Sequence, residues 1–158
     1  MRSLTLAVSV LVLTGYSRDV FETFSTFADA KHAGAFDRHW LPRDLLECAK
    51  SIEVRGNEEI DLFAGGFSLP KQGLRELSAR LEPYPEDPIG AFSGRDPHLA
   101  VYIAAKNAEG LMAGVIYQEP HMWVLTCNVV DLRCMYQRRT EGTNKQLQPI
   151  GRKDAPVG

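Results

Sequence analysis

Residues 99–130, LAVYIAAKNAEGLMAGVIYQEPHMWVLTCNVV, decide the predicted fold, because they contain three short apolar runs separated by polar turn residues. The runs are Leu99–Ala105, Leu111–Gln118 and Met122–Val130, and each has the length of a β-strand. The turn Asn107–Gly110 joins the first two. Strands with connections this short usually pair as antiparallel neighbours. The sequence therefore predicts an antiparallel sheet in the C-terminal half of the chain.

Three helices are predicted before this sheet. Apolar residues recur at helical spacing in residues 19–32, with Gly34 as the stop signal. Pro42 is well placed in the first turn of a second helix that extends to Ile52. A third helix is predicted over residues 68–81, where three leucines fall on one face.

Between the second and third helices, residues 52–67 alternate in part between apolar and polar side chains and contain the turn pair Gly56-Asn57. This segment is predicted as two strands, or as one strand entered from a loop. The expected fold is an α+β domain, in which two or three N-terminal helices pack on a small, mainly antiparallel sheet. The domain should span residues 18–139, and the polar, turn-rich residues 140–158 should form a disordered tail.

The first 17 residues have the pattern of an export signal. Arg2 precedes the apolar run Leu4–Leu13, which is too short to anchor the chain across a bilayer, and Gly15 and Ser17 offer small residues for cleavage. We therefore expect a signal peptide over residues 1–17 and a periplasmic or secreted mature chain with no stable membrane anchor. The alternative is a cytosolic α/β domain in which residues 4–13 form a buried strand.

A degenerate lipobox follows the apolar run. Residues 13–16, LTGY, resemble the bacterial lipobox, which ends in the cysteine that carries the lipid. Thioether attachment of a lipid requires a sulfur nucleophile, and the phenol of Tyr16 does not replace it. We therefore expect that the mature chain is not lipidated.

The charge balance gives no reason to expect a nucleic-acid partner. The chain of 158 residues has a formal net charge of −2, and removal of residues 1–17 takes away Arg2 and no acidic residue. The pair Arg138-Arg139 before the tail is predicted to be a solvated edge. The four histidines are scattered, and neither H-x-x-x-H nor C-x-x-C occurs. We therefore expect no metal site and no cofactor.

The cysteines Cys48, Cys127 and Cys134 would meet an oxidising compartment if the chain is exported, and three cysteines allow one bridge. Cys127 with Cys134 is the first choice, since both lie at the end of the last predicted strand and in the segment after it. At a spacing of seven they would face opposite sides of a continuous strand, so the pair requires a turn near Asp131. The alternative is three buried or half-buried thiols.

A Cys/His hydrolase is the alternative function. Cys127 or Cys134 could act as the nucleophile. The base would be His98 or His121, with Asp131 to orient it. No nucleophile motif surrounds these residues, so the sequence favours a binding protein over an enzyme.

Residues 39–63, HWLPRDLLECAKSIEVRGNEEIDLF, resemble a pattern of small uncharacterised bacterial exported proteins and lipoproteins. The pattern runs approximately W-[IL]-P-x-x-[IL]-P-x-S-A-x-x-I and continues through an acidic or Asn-rich turn to a strand that ends in Phe. The matching residues are Trp40, Leu41, Pro42, Leu45, Ala49, Ile52 and Phe63, whereas Leu46 replaces the second proline and Cys48 replaces the serine. The resemblance implies an envelope location and structural roles for these residues, and it implies no particular activity.

A binding loop is predicted in the proline-rich residues 82–97, EPYPEDPIGAFSGRDP, which form a long irregular connection. The candidate contact residues are Tyr84, Ile89, Phe92 and Arg95. Together with the export signal, this loop leads us to expect an envelope protein that binds another protein or acts as an accessory to it.

Overall fold

The computed structural model describes residues 18–84 and 97–140, and a six-stranded antiparallel sheet is its main element. The strands are β1 (Asp19–Thr26), β2 (Lys50–Asn57), β3 (Leu62–Ser68), β4 (Met112–Gln118), β5 (His121–Asn128) and β6 (Arg133–Thr140). The helices are α1 (Phe27–His32), α2 (Lys71–Ser78) and α3 (Pro97–Ala108). The order across the sheet is β1-β2-β3-β6-β5-β4. The pairing of β3 with β6 therefore joins the two halves of the chain.

The predicted fold class is wrong, because strands dominate this structure: 43% is strand and 23% is helix. The predicted helix over residues 19–32 is β1 followed by the short α1. Phe21 and Phe24 have helical spacing, but they lie on opposite faces of β1, with Phe24 buried and Phe21 exposed. The helix starts only after Thr26, whose hydroxyl forms a capping box with Asp29.

The predicted second helix, from Pro42 to Ile52, is also wrong. The segment forms consecutive turns, in which the Leu45 N–H bonds to the Pro42 carbonyl and the Ala49 N–H bonds to the Leu46 carbonyl. β2 then begins, and its pairing with both β1 and β3 outweighs the helical pattern. The apolar residues of the segment are nevertheless buried: Trp40, Leu41, Pro42, Leu45, Leu46 and Ala49.

In the C-terminal half, the predicted strand Leu99–Ala105 is wrong, because this segment belongs to α3. Leu99 and Ile103, one helical turn apart, are both buried, whereas Val101 between them is 68% exposed. The other two predicted strands are present as β4 and β5, and the third predicted helix is present as the shorter α2. The sequence pattern predicts these three elements because each of them buries apolar side chains that recur at the spacing of its secondary structure.

β6 is a central strand that the sequence pattern does not predict. Its inward side chains, Cys134, Tyr136 and Arg138, are all buried. An arginine at an inward position interrupts the apolar alternation by which strands are recognised. The sheet predicted from the sequence therefore lacks this last strand.

Hydrophobic clusters lie on both faces of the sheet. The larger cluster joins the inward side chains of β2, β3, β5 and β6 to the turns of residues 40–49 and to α2. The smaller cluster packs Leu99 and Ile103 of α3 on Val115, Met122 and Val124. The face opposite the larger cluster is thus covered by α3 only near β4 and β5.

Gly65 marks a close approach between β3 and its neighbours. A Cβ atom there would overlap the Glu53 carbonyl oxygen and lie 2.7 Å from the Tyr136 hydroxyl. We expect Gly65→Ala to lower the free energy of unfolding by about 2 kcal/mol or more, as overpacking against backbone does. Gly66→Ala is the control and should lose less, since its new Cβ would meet the flexible Met135 side chain at 2.9 Å and the Cys134 carbonyl oxygen at 3.0 Å, against 1.9 Å to the Glu53 carbonyl oxygen at Gly65. Urea unfolding compares the variants, and equal losses would contradict the close approach.

Candidate functional site

Cys127 and Cys134 are directly opposed residues of β5 and β6. Their sulfur atoms lie 2.01 Å apart, at the length of a disulfide bond, and their Cα atoms lie 4.0 Å apart. This geometry is compatible with the predicted bridge. The required turn lies at residues 129–132, which we call the hairpin tip. The remaining cysteine, Cys48, is a half-buried thiol.

The backbone of the hairpin tip is held by hydrogen bonds. The Asn128 side-chain oxygen accepts the Val130 N–H at 2.9 Å and the Asp131 N–H at 3.2 Å. The Asn128 side-chain amide donates to the Asp131 carboxylate at 2.7 Å. The Leu132 carbonyl accepts the Leu69 N–H at 3.0 Å and so ties the tip to the segment before α2. The tip is therefore an ordered turn with defined bonding.

Two valines of the hairpin tip are exposed to solvent. Val130 is 83% exposed and Val129 is 48% exposed. Turns usually carry Gly, Asn, Asp or Ser, so two β-branched apolar residues here depart from the local rule. This surface was not predicted from the sequence, because both valines continue the apolar run of the predicted strand Met122–Val130. The available signal was the turn-forming Asn128 before them and Asp131 after them.

The residues of the predicted Cys/His hydrolase are not assembled. Cys127 and Cys134 hold each other at disulfide distance, which leaves no free thiol at either position in this geometry. His121 is at the opposite end of β5, roughly 20 Å from Cys127 along the strand. Asp131 is at the hairpin tip and His98 is on α3.

Arg138 is buried at the other end of the β5–β6 hairpin, so the predicted solvated edge is wrong at this residue. Only 3% of it is exposed, and it lies between Phe63 and Trp123 across the sheet. Its guanidinium donates to the Asp61 carboxylate and to the His39 carbonyl oxygen. Burial lowers the pKa of Arg138, and the Asp61 carboxylate opposes that shift.

His121 packs beside this ion pair. Its ring centre is 5.1 Å from that of His39, and its Nδ1 atom is 3.1 Å from the Thr140 hydroxyl oxygen. Burial, reinforced by the positive charge of Arg138, lowers the pKa of His121 to about 4. The imidazole is therefore neutral at neutral pH and contacts Trp123 edge to face.

The Arg138 cluster, defined as Arg138, Asp61, His39 and His121, connects three parts of the chain. Asp61 belongs to the turn between β2 and β3, and His39 to the turns before β2. Both adopt positive φ, 52° and 55°, a region that costs energy for residues other than glycine. The cluster holds these turns on the sheet through ion pairing and hydrogen bonding, and we interpret it as a structural centre.

A cleft of about 680 Å³ lies between the turns of residues 43–48 and α2. Its lining carries both charge signs, since it includes Arg43 and Arg80 as well as Asp44, Glu47 and Glu76. Arg80 is engaged already, because it donates to the Asp44 carbonyl oxygen at 3.0 Å. Because charges of both signs line the cleft, its lining indicates no particular class of ligand.

Tyr84 is the one residue of the predicted binding loop that the structure describes. It is half-buried and packs against the smaller cluster beneath α3. Ile89, Phe92 and Arg95 lie outside the described residues, as do the predicted signal peptide and its cleavage site. The predicted loop contacts therefore stay predictions.

The chain matches no known protein-family model, no curated protein and no solved structure. In the part of the chain that the structure describes, no helix is long and apolar enough to cross a membrane. Within residues 18–84 and 97–140, no three His, Cys, Asp or Glu side chains converge as a metal site. Function is therefore inferred from the surfaces and clusters of this chain alone.

We expect His121→Gln to weaken the pH dependence of stability. The folded state keeps His121 neutral down to about pH 4, whereas the unfolded chain protonates the imidazole near its ordinary pKa of 6.5. Acidification between these values therefore favours unfolding, by at most about 1.4 kcal/mol per pH unit from this residue. Urea unfolding at about pH 7 and about pH 5 measures the effect, with the exposed His32→Gln as control. Identical pH dependence in wild type and His121→Gln would contradict the burial of a neutral imidazole.

Proposed function

We propose that the chain is exported and that its mature part is an envelope protein that binds another protein. The signal-like residues 1–17 and the resemblance of residues 39–63 to exported proteins support the location. A cysteine pair at disulfide distance also suits an oxidising compartment.

The binding function is carried by the apolar side chains that ordered elements expose. Among residues 18–84 and 97–140, the large apolar residues with at least 39% exposure are Phe21, Ile60, Leu62, Val101, Tyr102, Val129, Val130 and Met135. Phe21, Leu62 and Met135 lie on the face of the sheet opposite the larger cluster, and Val129 and Val130 belong to the hairpin tip. Apolar side chains exposed on ordered elements can contribute to contact with another protein.

Catalysis finds less support in the described residues. Cys127 and Cys134, the predicted nucleophiles, lie at disulfide distance from each other, and the Arg138 cluster is occupied by its own ion pair and hydrogen bonds. The cleft beside α2 presents charges of both signs without a set of convergent groups. A binding protein is therefore favoured over the Cys/His hydrolase.

Within this proposal, Cys127 and Cys134 form a disulfide after export. The bridge closes the β5–β6 hairpin directly below its tip and limits how far the two strands can separate there. Cys48 then stays as the single thiol of the mature chain.

Fractionation of cells that produce the full chain tests the location. We expect the protein in the periplasmic or secreted fraction, with an N-terminus near residue 18 and no acyl group, because signal cleavage follows small residues. Mass spectrometry of the intact protein and of its N-terminal peptide measures this. Val8→Arg is the control, since a charge within the apolar run should block export. A wild-type protein that retains residues 1–17 in the cytosol would refute the proposal and support the cytosolic alternative.

Thiol titration of the exported protein tests the bridge. We expect one reactive thiol per chain after denaturation without reductant and three after reduction, because only Cys48 is unpaired. The matched variant Cys48→Ser should show none before reduction. Two or more thiols in the unreduced wild type would rule out the bridge.

A further inference from the structure

We propose that two copies of this chain associate through the free edge of β1, so that their sheets continue antiparallel into each other across a twofold axis. The inference goes beyond the proposed function, because its partner is a second copy of the chain and it does not depend on export. Three features carry it: the open backbone of β1, the bonded backbone of β4, and the side chains of β1.

β1 is an edge strand whose outer backbone groups are open. It pairs with β2 on one side and has no strand on the other. The Glu58 N–H donates to the Arg18 carbonyl oxygen at 3.1 Å, and the residues of a strand direct their backbone groups to alternate sides. The N–H and C=O groups of Phe21 and Thr23 therefore point to the free side. Within residues 18–84 and 97–140, these groups have no hydrogen-bond partner.

The backbone of β4, at the other edge of the sheet, is already bonded. The Asn107 side chain accepts the Ala113 N–H at 2.9 Å and donates to the Ala113 carbonyl oxygen at 3.2 Å. The Val115 N–H donates to the Glu82 carbonyl oxygen at 2.8 Å, and the Val115 carbonyl oxygen accepts the Glu82 N–H at 2.9 Å. Covered edges do not accept a further strand. Association through β1 alone therefore closes at two copies.

The open edge of β1 determines the chemistry of its partner. An extended backbone presents donors and acceptors at the spacing of Phe21 and Thr23, and it satisfies these groups directly. A lipid surface or a small apolar ligand offers no such array. The partner is therefore a β-strand.

The side chains of β1 suit a second β1 as this strand. Phe21 is 65% exposed, and the twofold axis can place it opposite Phe21 of the second copy on the same face of the sheet. In this register Glu22 is opposite Val20 of the second copy and diagonal to Arg18 of the second copy, so opposite charges approach each other. The pairing covers residues 18–24 and ends before α1.

Sedimentation equilibrium tests the association. The protein is purified from cells that produce the full chain, as Cys48→Ser, so that the unpaired thiol cannot link two copies. We expect a reversible equilibrium between monomer and dimer over concentrations of roughly 10 μM to 1 mM, because the contact is small.

Amide hydrogen exchange, followed by NMR at the two ends of this concentration range, locates the contact. The N–H groups of Phe21 and Thr23 should exchange several-fold more slowly at the high concentration, because the second copy accepts them. The Glu22 N–H, which points to β2, is the internal control and should change less.

Two pairs of variants measure the contribution of the edge. Thr23→Pro removes an outward N–H, which an edge strand tolerates, and should raise the dissociation constant roughly tenfold or more. Thr23→Val keeps the N–H and should dimerise as the parent does. Phe21→Glu should weaken the dimer to a similar extent, because it places like charges opposite each other, whereas in the monomer it lies beside Arg55. Val101→Glu, at a residue 68% exposed on α3, should change nothing. Thermal unfolding of each variant verifies that the fold is retained.

The outcomes decide the inference without touching the proposed function. A protein that stays monomeric up to about 1 mM would overturn it. A dimer in which Phe21 and Thr23 exchange as in the monomer, or which folded Phe21→Glu leaves as stable as before, would place the contact elsewhere and also overturn it. Assemblies larger than two copies would contradict the covered edge at β4.

Discussion

The ion pair between the buried Arg138 and the partly exposed Asp61 is the interaction on which the rest of this structure depends. β6 joins the strands of the two halves of the chain, and Arg138 lies on β6 between Phe63 and Trp123. A buried guanidinium without a carboxylate is costly, so the turn between β2 and β3 that carries Asp61 must stay in place. The carbonyl oxygen of His39 is the second acceptor, and it fixes the turns that cover the larger cluster.

The two ends of the β5–β6 hairpin therefore differ in their chemistry. One end holds Arg138 and the neutral His121 among buried side chains, where changes of charge are destabilising. The other end exposes Val129 and Val130 on a turn whose backbone is fixed by side-chain hydrogen bonds. The same strand pair therefore carries buried charged and titratable groups at one end and exposed apolar groups at the other.

Regular apolar patterns made β4, β5 and α2 predictable, whereas β6 was hidden because Arg138 occupies an inward position. Every residue from 99 to 105 is apolar, so the run fits the spacing of a buried strand and that of a helix equally well. Periodicity alone could therefore not assign these residues to α3. The approach of Cys127 to Cys134 could be anticipated, since a local hairpin suffices for it. Arg138 and Asp61 are 77 residues apart, and a contact between distant residues leaves no local pattern.

A double-mutant cycle on Arg138 and Asp61 tests the central claim most directly. Urea unfolding of Arg138→Met, Asp61→Asn and the double variant gives their coupling free energy. The pair Arg55 and Glu53, whose arginine is 61% exposed where Arg138 is 3% exposed, serves as the control cycle. We predict a coupling of at least about 1 kcal/mol for the pair with the buried arginine and less than about 0.5 kcal/mol for the pair with the exposed arginine. A coupling between Arg138 and Asp61 within about 0.3 kcal/mol of zero would contradict the dependence of the fold on this ion pair.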